Sequence, residues 1–284
     1  TMPEPRMVCP GYGKFWITAG KPCTIKYGYH CFFHAYTQKC VRSRKPLNVL
    51  KEYQRTEFEV KNAGRYSAIL TMSEFVKNEA INGGIPAEKL ICNPHFTKFD
   101  LPYLPFEGTE KRFLFVGRLI QHKGIYELLD AMLPILQMDT TNRLQIVGDG
   151  PLYNYVMDFI KDHGLQNQIV VEKWKSSAEI SALMKTSYCV LFPSIYPEAF
   201  GLVGIEAGMH SRPVIAFNVG GVSTWLKNDF NGFLLDQPSA SALRAAIQKM
   251  IEEPEQYKQM SRNAWERASS FFSPKRHVEK LVDI

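Results

Sequence analysis

No run of eighteen apolar residues occurs in this 284-residue chain, so no membrane-crossing helix is expected. The opening Thr1-Met2-Pro3-Glu4-Pro5-Arg6 lacks the apolar core of a secretory leader. A cytoplasmic protein is the simplest expectation, and six cysteines do not argue against it. None of those cysteines forms a Cys-x-x-Cys pair, so the usual spacing of a zinc ribbon or a redox motif is missing. Internal repeats and low-complexity tracts are also absent. What remains is 45% apolar and 22% charged, the balance of a folded globular chain long enough for two domains.

The net charge of +6 is unevenly placed: residues 1–55 hold ten Lys and Arg against two Glu. This region reads either as a solvated basic surface or as a face for phosphates, in an anionic lipid or a diphosphate-linked acceptor. No nucleic-acid reader motif accompanies the charge, so a nucleic-acid partner is not expected. Residues 1–60 are rich in aromatics, Cys and Lys and show poor periodicity. Cys9, Cys23, Cys31 and Cys40, with His30 and His34, read first as free buried thiols and only weakly as a zinc site.

From Lys111 onward the pattern becomes regular. Arg112-Phe113-Leu114-Phe115-Val116 is a short apolar run ending at Gly117, as in a buried parallel strand. Helical periodicity follows through Ile125, Leu128, Leu129, Met132 and Ile135. Further strands are expected at residues 144–147, 169–171, 189–192 and 213–216. Ser176-Ser177-Ala178-Glu179 carries the signature of a capping box opening a helix. Such alternation predicts an α/β domain with a parallel sheet over residues 108–265, and ligands in such sheets bind beyond the carboxyl ends of the strands. Residues 66–92 read as strand, helix and strand, the tail of a second α/β domain over residues 1–98, with a linker near residues 95–108. Residues 266–284 form C-terminal helices, the last free to pack back on the first domain.

The strongest chemical signal is Pro197-Glu198-Ala199-Phe200-Gly201-Leu202-Val203-Gly204-Ile205-Glu206-Ala207. A helix starting near Gly201 offers unpaired N–H groups and the positive end of its dipole to a phosphate. Glu198 and Glu206 can each accept two hydrogen bonds from vicinal hydroxyls, so the pair suits two polyols flanking a diphosphate. Arg118 and Lys123 put two cations on the loop after the first strand, where they can neutralise a departing diphosphate. Taken singly, each of these residues reads as ordinary surface chemistry; their joint placement at strand ends is what points to a site. Val147-Gly148-Asp149-Gly150-Pro151 adds a tight turn, and Gly220-Gly221 a further loop at the same edge.

Phe115-Val116-Gly117-Arg118 with Lys123-Gly124, Ile146-Val147-Gly148-Asp149-Gly150-Pro151, Glu198-Ala199-Phe200-Gly201 with Glu206-Ala207, and Gly220-Gly221 together resemble glycosyltransferase family 4. The segments stand in that family's order over about half the chain. The resemblance implies a GT-B fold of two Rossmann-like domains, a nucleotide-diphospho-sugar donor, and transfer with retention to a glycan or lipid-linked acceptor. Surface polysaccharide or glycolipid synthesis is the expected setting. It implies that Arg118 and Lys123 bind the diphosphate, Glu198 the sugar hydroxyls, and the backbone of Phe200, Gly201, Leu202 and Val203 both sugar and phosphate. Glu206 would hold the ribose, Lys173 and Trp174 the base, with Gly117, Gly148 and Gly150 shaping the loops. Arg118, Lys123 and Glu198 are thus the candidate catalytic residues, none of them a covalent nucleophile. No Asp-x-Asp occurs, so no cofactor and no metal are expected at the diphosphate.

Residues 1–40 resemble a subgroup of the same family in which a strand ends in Thr-x-His-(Asp/Asn)-Tyr-Arg-x-x-Cys-Pro. Thr1 to Pro10 fit that frame, except that Pro3 replaces the His and Glu4 the Asp or Asn. The family's opening strands and glycine-rich loop have no counterpart, and about a hundred further residues would be needed for a complete first domain. The chain is therefore read as a truncated product, a fragment or a natural short form. A transferase, with peripheral contact on the inner face of an anionic membrane, is the leading expectation. The alternative is a catalytically weak module that only binds nucleotide-sugar. A sugar-nucleotide epimerase or phosphorylase on the same fold is a more distant reading.

Overall fold

The computed structural model describes residue 2, residues 4–11 and residues 13–284. The chain divides into two compact units. The first holds the described residues up to His95, together with Tyr196–Phe200 and His277–Ile284; the second holds Phe96–Ile195 and Gly201–Arg276.

In the first unit, the short strands β1 (Phe15–Trp16) and β2 (Lys21–Pro22) pair antiparallel. Helices α1 (His30–Thr37) and α2 (Pro46–Asn62) follow, with Pro46 at the first helical position, where its missing N–H costs nothing. Strand β3 (Ile69–Thr71) leads through α3 (Glu74–Asn82) to β4 (Leu90–Cys92), which pairs with β3 in parallel. This is the strand–helix–strand tail expected of residues 66–92. Ser73 caps α3 by accepting the Val76 N–H at 3.2 Å. The apolar cluster under α1 and α2 is small: Ala35, Val41 and Val49, with Phe32 and Cys40 packed against it. The readings placed on Thr1 and Pro3 lie outside the described residues.

The second unit is built on one parallel sheet. Its strands are β5 (Arg112–Val116), β6 (Arg143–Val147), β7 (Ile169–Glu172), β8 (Cys189–Phe192), β9 (Val214–Phe217) and β10 (Gly232–Leu235). The helices are α4 (Ile125–Met138), α5 (Tyr153–Asp162), α6 (Ser177–Thr186), α7 (Leu202–Met209), α8 (Ala240–Glu252) and α9 (Pro254–Phe271); α10 (Pro274–Val282) follows, most of it grouped with the first unit. Spatial order runs β10-β9-β8-β5-β6-β7. The chain builds outward from β5 in one direction, then returns to lay β8 on its other side. Strands buried on both faces must be apolar throughout, and β8 and β9 are buried at every position. Leu128, Leu129 and Met132 of α4 pack with Phe113, Ile146 and Ile215 into one core. Each such side chain contributes about 1.5–3 kcal/mol by leaving water.

The capping box is formed: Ser176 Oγ accepts the Glu179 N–H at 3.3 Å, while the Glu179 carboxylate accepts the Ser176 N–H at 2.8 Å. Strand β10 was not anticipated, and the helix expected from Lys123 begins at Ile125 after a single 3-10 turn. The stretch read as a linker near residues 95–108 is tied down from Phe96 onward. Thr97 N–H donates to Phe272 O at 2.9 Å, Trp265 Nε1 to Leu101 O at 2.7 Å, and Leu104 N–H to Ser211 Oγ at 2.9 Å. Its Phe106 ring lies 5.2 Å from that of Tyr188, against the core.

Two short stretches group with the first unit. Tyr196–Phe200, placed with the donor domain from sequence, belongs by its contacts to the first unit. The Tyr196 ring lies tilted 5.3 Å from that of Phe15, and Ser73 Oγ donates to Ala199 O at 2.6 Å. His277–Ile284 also groups there, with Asn93 Nδ2 donating to His277 O at 3.2 Å.

Gly204 permits the tightest helix contact in the second unit. A methyl group there would stand 2.3 Å from the buried Trp225 ring. Gly204→Ala is expected to destabilise the chain by about 1–3 kcal/mol through overpacking. Gly64, with nothing within 4 Å of its Cβ position, serves as the control, and Gly64→Ala should stay within about 0.5 kcal/mol. Equal urea midpoints for the two variants would contradict the packing argument.

Candidate functional site

The site is set by the reversal in strand order. β5 and β8 are neighbours, yet they pair only at Phe113↔Cys189 and Leu114↔Val190. Beyond these pairs the chain crosses over in opposite directions, from β5 to β6 on one side and from β8 to β9 on the other. In open parallel sheets this reversal point is where ligands bind.

The loop after β5 is braced on both sides. Gly117 N–H donates to Val147 O at 3.0 Å and Leu119 N–H to Asp149 O at 2.9 Å, joining it to the loop after β6. Ile195 N–H donates to His122 O at 3.1 Å, joining it to the loop after β8. Arg118, between these braces, is exposed, and no carboxylate pairs with it among the described residues. Lys123 is half-buried, its Nζ 5.8 Å from the centre of the Phe192 ring at the end of β8. The two cations therefore ride on a braced loop at the reversal point. Gly148 N–H donates to Glu172 O at 2.8 Å and Gly150 N–H to the Asp149 carboxylate at 2.7 Å, which holds the neighbouring turn.

Helix α7 begins on the other side. Its N-cap is Gly201, with φ +88°, a left-handed conformation costly for any residue with a side chain. The cap makes no side-chain hydrogen bond, and the first helical N–H groups, at Leu202 and Val203, have no acceptor within the helix. They form a partial positive charge at the same edge. Glu206 lies farther along α7 and is half-buried. Burial raises its pKa above the ordinary carboxylate value, and the nearby Lys98 ammonium opposes the shift. Lys98 is itself held by donation to Ser177 Oγ at 2.6 Å. The helix ends at buried His210, whose Nδ1 lies 2.7 Å from Glu206 O and whose Nε2 lies 2.6 Å from Ser181 Oγ. Burial lowers the His210 pKa, so the ring stays neutral and bridges both groups. On the far side of the sheet, Lys173 and Trp174 are exposed just after β7, with Lys173 Nζ 6.0 Å from the Tyr153 ring.

Residue by residue, the second unit thus gathers Gly117, Arg118, Lys123, Gly148, Gly150, Gly201, Leu202, Val203 and Glu206 on loops and a helix at one sheet edge, and Lys173 and Trp174 follow the outermost strand of that edge. Glu198 and Phe200 stand apart in this accounting, because Tyr196–Phe200 groups with the first unit. Phe200 is buried, its ring 5.8 Å from His95, and Glu198 is half-buried. Sequence reading missed Phe192, Lys98, His210 and Trp225. None of them lies in a spaced motif.

Residues 98–267, the span that carries this edge, match the family described as glycosyl transferases group 1. The chain belongs to the group 1 glycosyl transferases. Among relatives of this transferase family, an uncharacterized glycosyltransferase of Methanocaldococcus jannaschii is 28% identical over 214 residues, 75% of this chain and 56% of that protein. The D-rhamnosyltransferase WbpZ of Pseudomonas aeruginosa is 31% identical over 163 residues, 57% of this chain and 41% of WbpZ. The chain spans about half the length of the curated relatives it matches. Anabaena HepE, solved with UDP-glucose, superposes with a TM-score of 0.68 at 23% identity, covering 81% of this chain and 68% of HepE. TarM of S. aureus, solved with UDP among its ligands, gives 0.71 at 20% identity, over 81% of this chain and 46% of TarM. The architecture is the α/β GT-B type. Among the described residues no helix is long and apolar enough to cross a membrane.

The half-buried Glu206 has a pH signature. An unfolded Glu ionises near 4.5, and the folded value lies higher. Between the two values the folded chain binds the extra proton, so stability falls as pH rises through that window. Glu206→Gln removes this cost. Its melting temperature should exceed the parent's at pH 8, with the gap narrowing as pH falls toward 4.5. A gap of the same size at both ends would mean that burial does not tax this carboxylate.

Proposed function

We propose that this chain is the donor-binding half, with part of an acceptor-side domain, of a retaining family 4 glycosyltransferase. It moves a sugar from a nucleotide-diphospho-sugar to a glycan or lipid-linked acceptor, in surface polysaccharide or glycolipid synthesis. The observation that carries the reading is the reversal point between β5 and β8, with Arg118 and Lys123 on the loop after one strand and the α7 N-terminus, whose cap makes no side-chain hydrogen bond, after the other. Two cations and a helix end converging there make a site for a diphosphate.

In this reading Arg118, Lys123 and the N–H groups of Leu202 and Val203 hold the two phosphates. As the glycosidic bond to phosphate breaks, negative charge grows on the leaving oxygen. Fixed cations and amides stabilise that charge without reorganising, which is where catalysis gains most. Glu206 accepts hydrogen bonds from the ribose diol, and its burial strengthens them. Lys173 and Trp174 flank the base. Glu198 keeps the part that the family motif gives it, contact with the sugar hydroxyls, by virtue of its place eight residues before Glu206. No metal enters this account, because Arg118 and Lys123 supply the countercharge. HepE and TarM were solved with UDP or a UDP-sugar, which makes uridine nucleotides the first ligands to try. The ten-to-two basic excess of residues 1–55 supports contact with anionic lipid at an inner membrane face.

Calorimetric titration of UDP and UDP-sugars tests the assignment. Glu206→Ala should weaken UDP itself by about 1.5–3 kcal/mol, the range for hydrogen bonds to a charged group. Arg118→Ala should weaken UDP and UDP-sugar alike, and Glu198→Ala only the UDP-sugar. Equal loss of UDP affinity in Glu198→Ala and Glu206→Ala would reverse the sugar and ribose roles.

Adding a chelator should leave donor affinity unchanged. Loss of affinity on chelation, with recovery on adding magnesium, would replace the cation-only account. Binding of donor without transfer to any acceptor would mark the chain as a binding module.

A further inference from the structure

The first unit turns aromatic side chains outward along one helix. Tyr29, at the N-cap of α1, and Phe33 and Tyr36 within it are four and then three positions apart, so they line one face. They are 78%, 65% and 39% exposed. Thr37, beside them on the same face, is exposed too. The stripe runs about 10 Å along the helix axis. The opposite side is already used. Ala35 is buried with Val41 and Val49, and Cys31 lines a cavity with Cys9, Cys23 and Cys40, all four of them free thiols. An amphipathic helix ordinarily sends its aromatic residues inward. Single apolar side chains on a protein surface need no explanation, whereas three on one helix face mark a contact surface.

Charge decides what that surface meets. Between Pro5 and Lys51 the chain has no Asp or Glu. Lys26 lies three residues before the stripe and Lys39 three residues after it, and Arg44 and Lys45 follow in the connection to α2. All four cations are exposed, and no ion pair uses them among the described residues. A second copy of the chain laid on this face would set like charges against one another. An anionic leaflet meets both features at once. Tyr and Phe rings settle at the level of lipid headgroups, and Lys and Arg stems reach from an apolar contact back to the phosphates.

We propose that the outward face of α1 inserts into an anionic bilayer surface: Tyr29, Phe33 and Tyr36 enter the interface, while Lys26, Lys39, Arg44 and Lys45 pair with anionic headgroups around them. The proposal rests on the membrane contact stated above and names the element that makes it. Charge alone would hold the chain within a Debye length of the leaflet and would let go as salt rises. Inserted rings add a part that salt does not screen, because it comes from removing apolar surface from water. The two contributions can therefore be separated by salt and by substitution.

The test uses the full chain and vesicles of phosphatidylcholine, alone or with phosphatidylserine added, read by co-sedimentation. Binding is expected to the anionic vesicles and not to the neutral ones, with a remnant that survives high salt. Phe33→Ser should weaken binding at least about tenfold and remove that remnant. Lys26→Ala and Lys39→Ala should each cost about fivefold, at low salt only. Met138→Ser, 77% exposed in the parent at the end of α4, should cost nothing. Phe33→Trp should add emission that shifts to the blue with anionic vesicles and is quenched by lipid brominated on its acyl chains. Unchanged vesicle binding in Phe33→Ser overturns the insertion while leaving an electrostatic membrane contact standing. Equal binding of the parent to neutral and anionic vesicles, or to neither, overturns both. A parent dimer that Phe33→Ser converts to monomer assigns the stripe to a second copy and overturns the proposal as well.

Discussion

The structure of the second unit turns on one junction, where β5 and β8 pair at two positions. A parallel sheet must cover both faces with crossover helices, so the chain builds outward from its first strand in one direction and then the other. At the reversal the crossovers diverge, and the loop bearing Arg118 and Lys123 is held to the loop after β8 by donation of Ile195 N–H to His122 O. The start of α7 follows that second loop.

Polarity at the reversal point follows from the same geometry. Parallel strands aim their carboxyl ends, and the N-termini of the next helices, at one edge. That edge is electropositive before any side chain is considered. Arg118 and Lys123 add full charges, and neither the N-cap of α7 nor a carboxylate near Arg118 uses up the field. Glu206 carries the opposite cost: a carboxylate pushed toward protonation by burial and partly relieved by Lys98.

The first unit is organised on different terms. Its strands are short, the apolar cluster under α1 and α2 is small, and further apolar side chains are buried along β3, α3 and β4, among them Ile69, Val76, Ala80 and Leu90. It keeps Tyr196–Phe200 through aromatic contact and the Ser73 hydroxyl, which caps α3 and also donates to Ala199 O. One small residue thus serves local helix formation and a contact 126 positions away.

Much of the second unit was legible along the chain. Apolar runs at Phe113, Ile146, Val190 and Ile215 announced buried strands, because a strand covered on both faces has no reason to alternate. Ser176 and Glu179 announced a helix start, since a capping box is a purely local device. The loop glycines, Arg118, Lys123 and the two glutamates stood out in the sequence because they sit in motifs that resemble one family and fall at or just beyond strand ends. Strand β10 was missed because Gly232-Phe233-Leu234-Leu235 is too short and too poor in β-branched residues to stand out. Other features were beyond sequence altogether: the Lys98 charge near Glu206, the Trp225 ring under Gly204, the grouping of Glu198 away from Glu206, and the gathering of four scattered cysteines around one cavity. Local periodicity and capping determined the elements, because they depend on neighbours a few residues apart. Only the tertiary structure decided which side chains share a field or a cavity, because burial and long-range contact depend on the path of the whole chain.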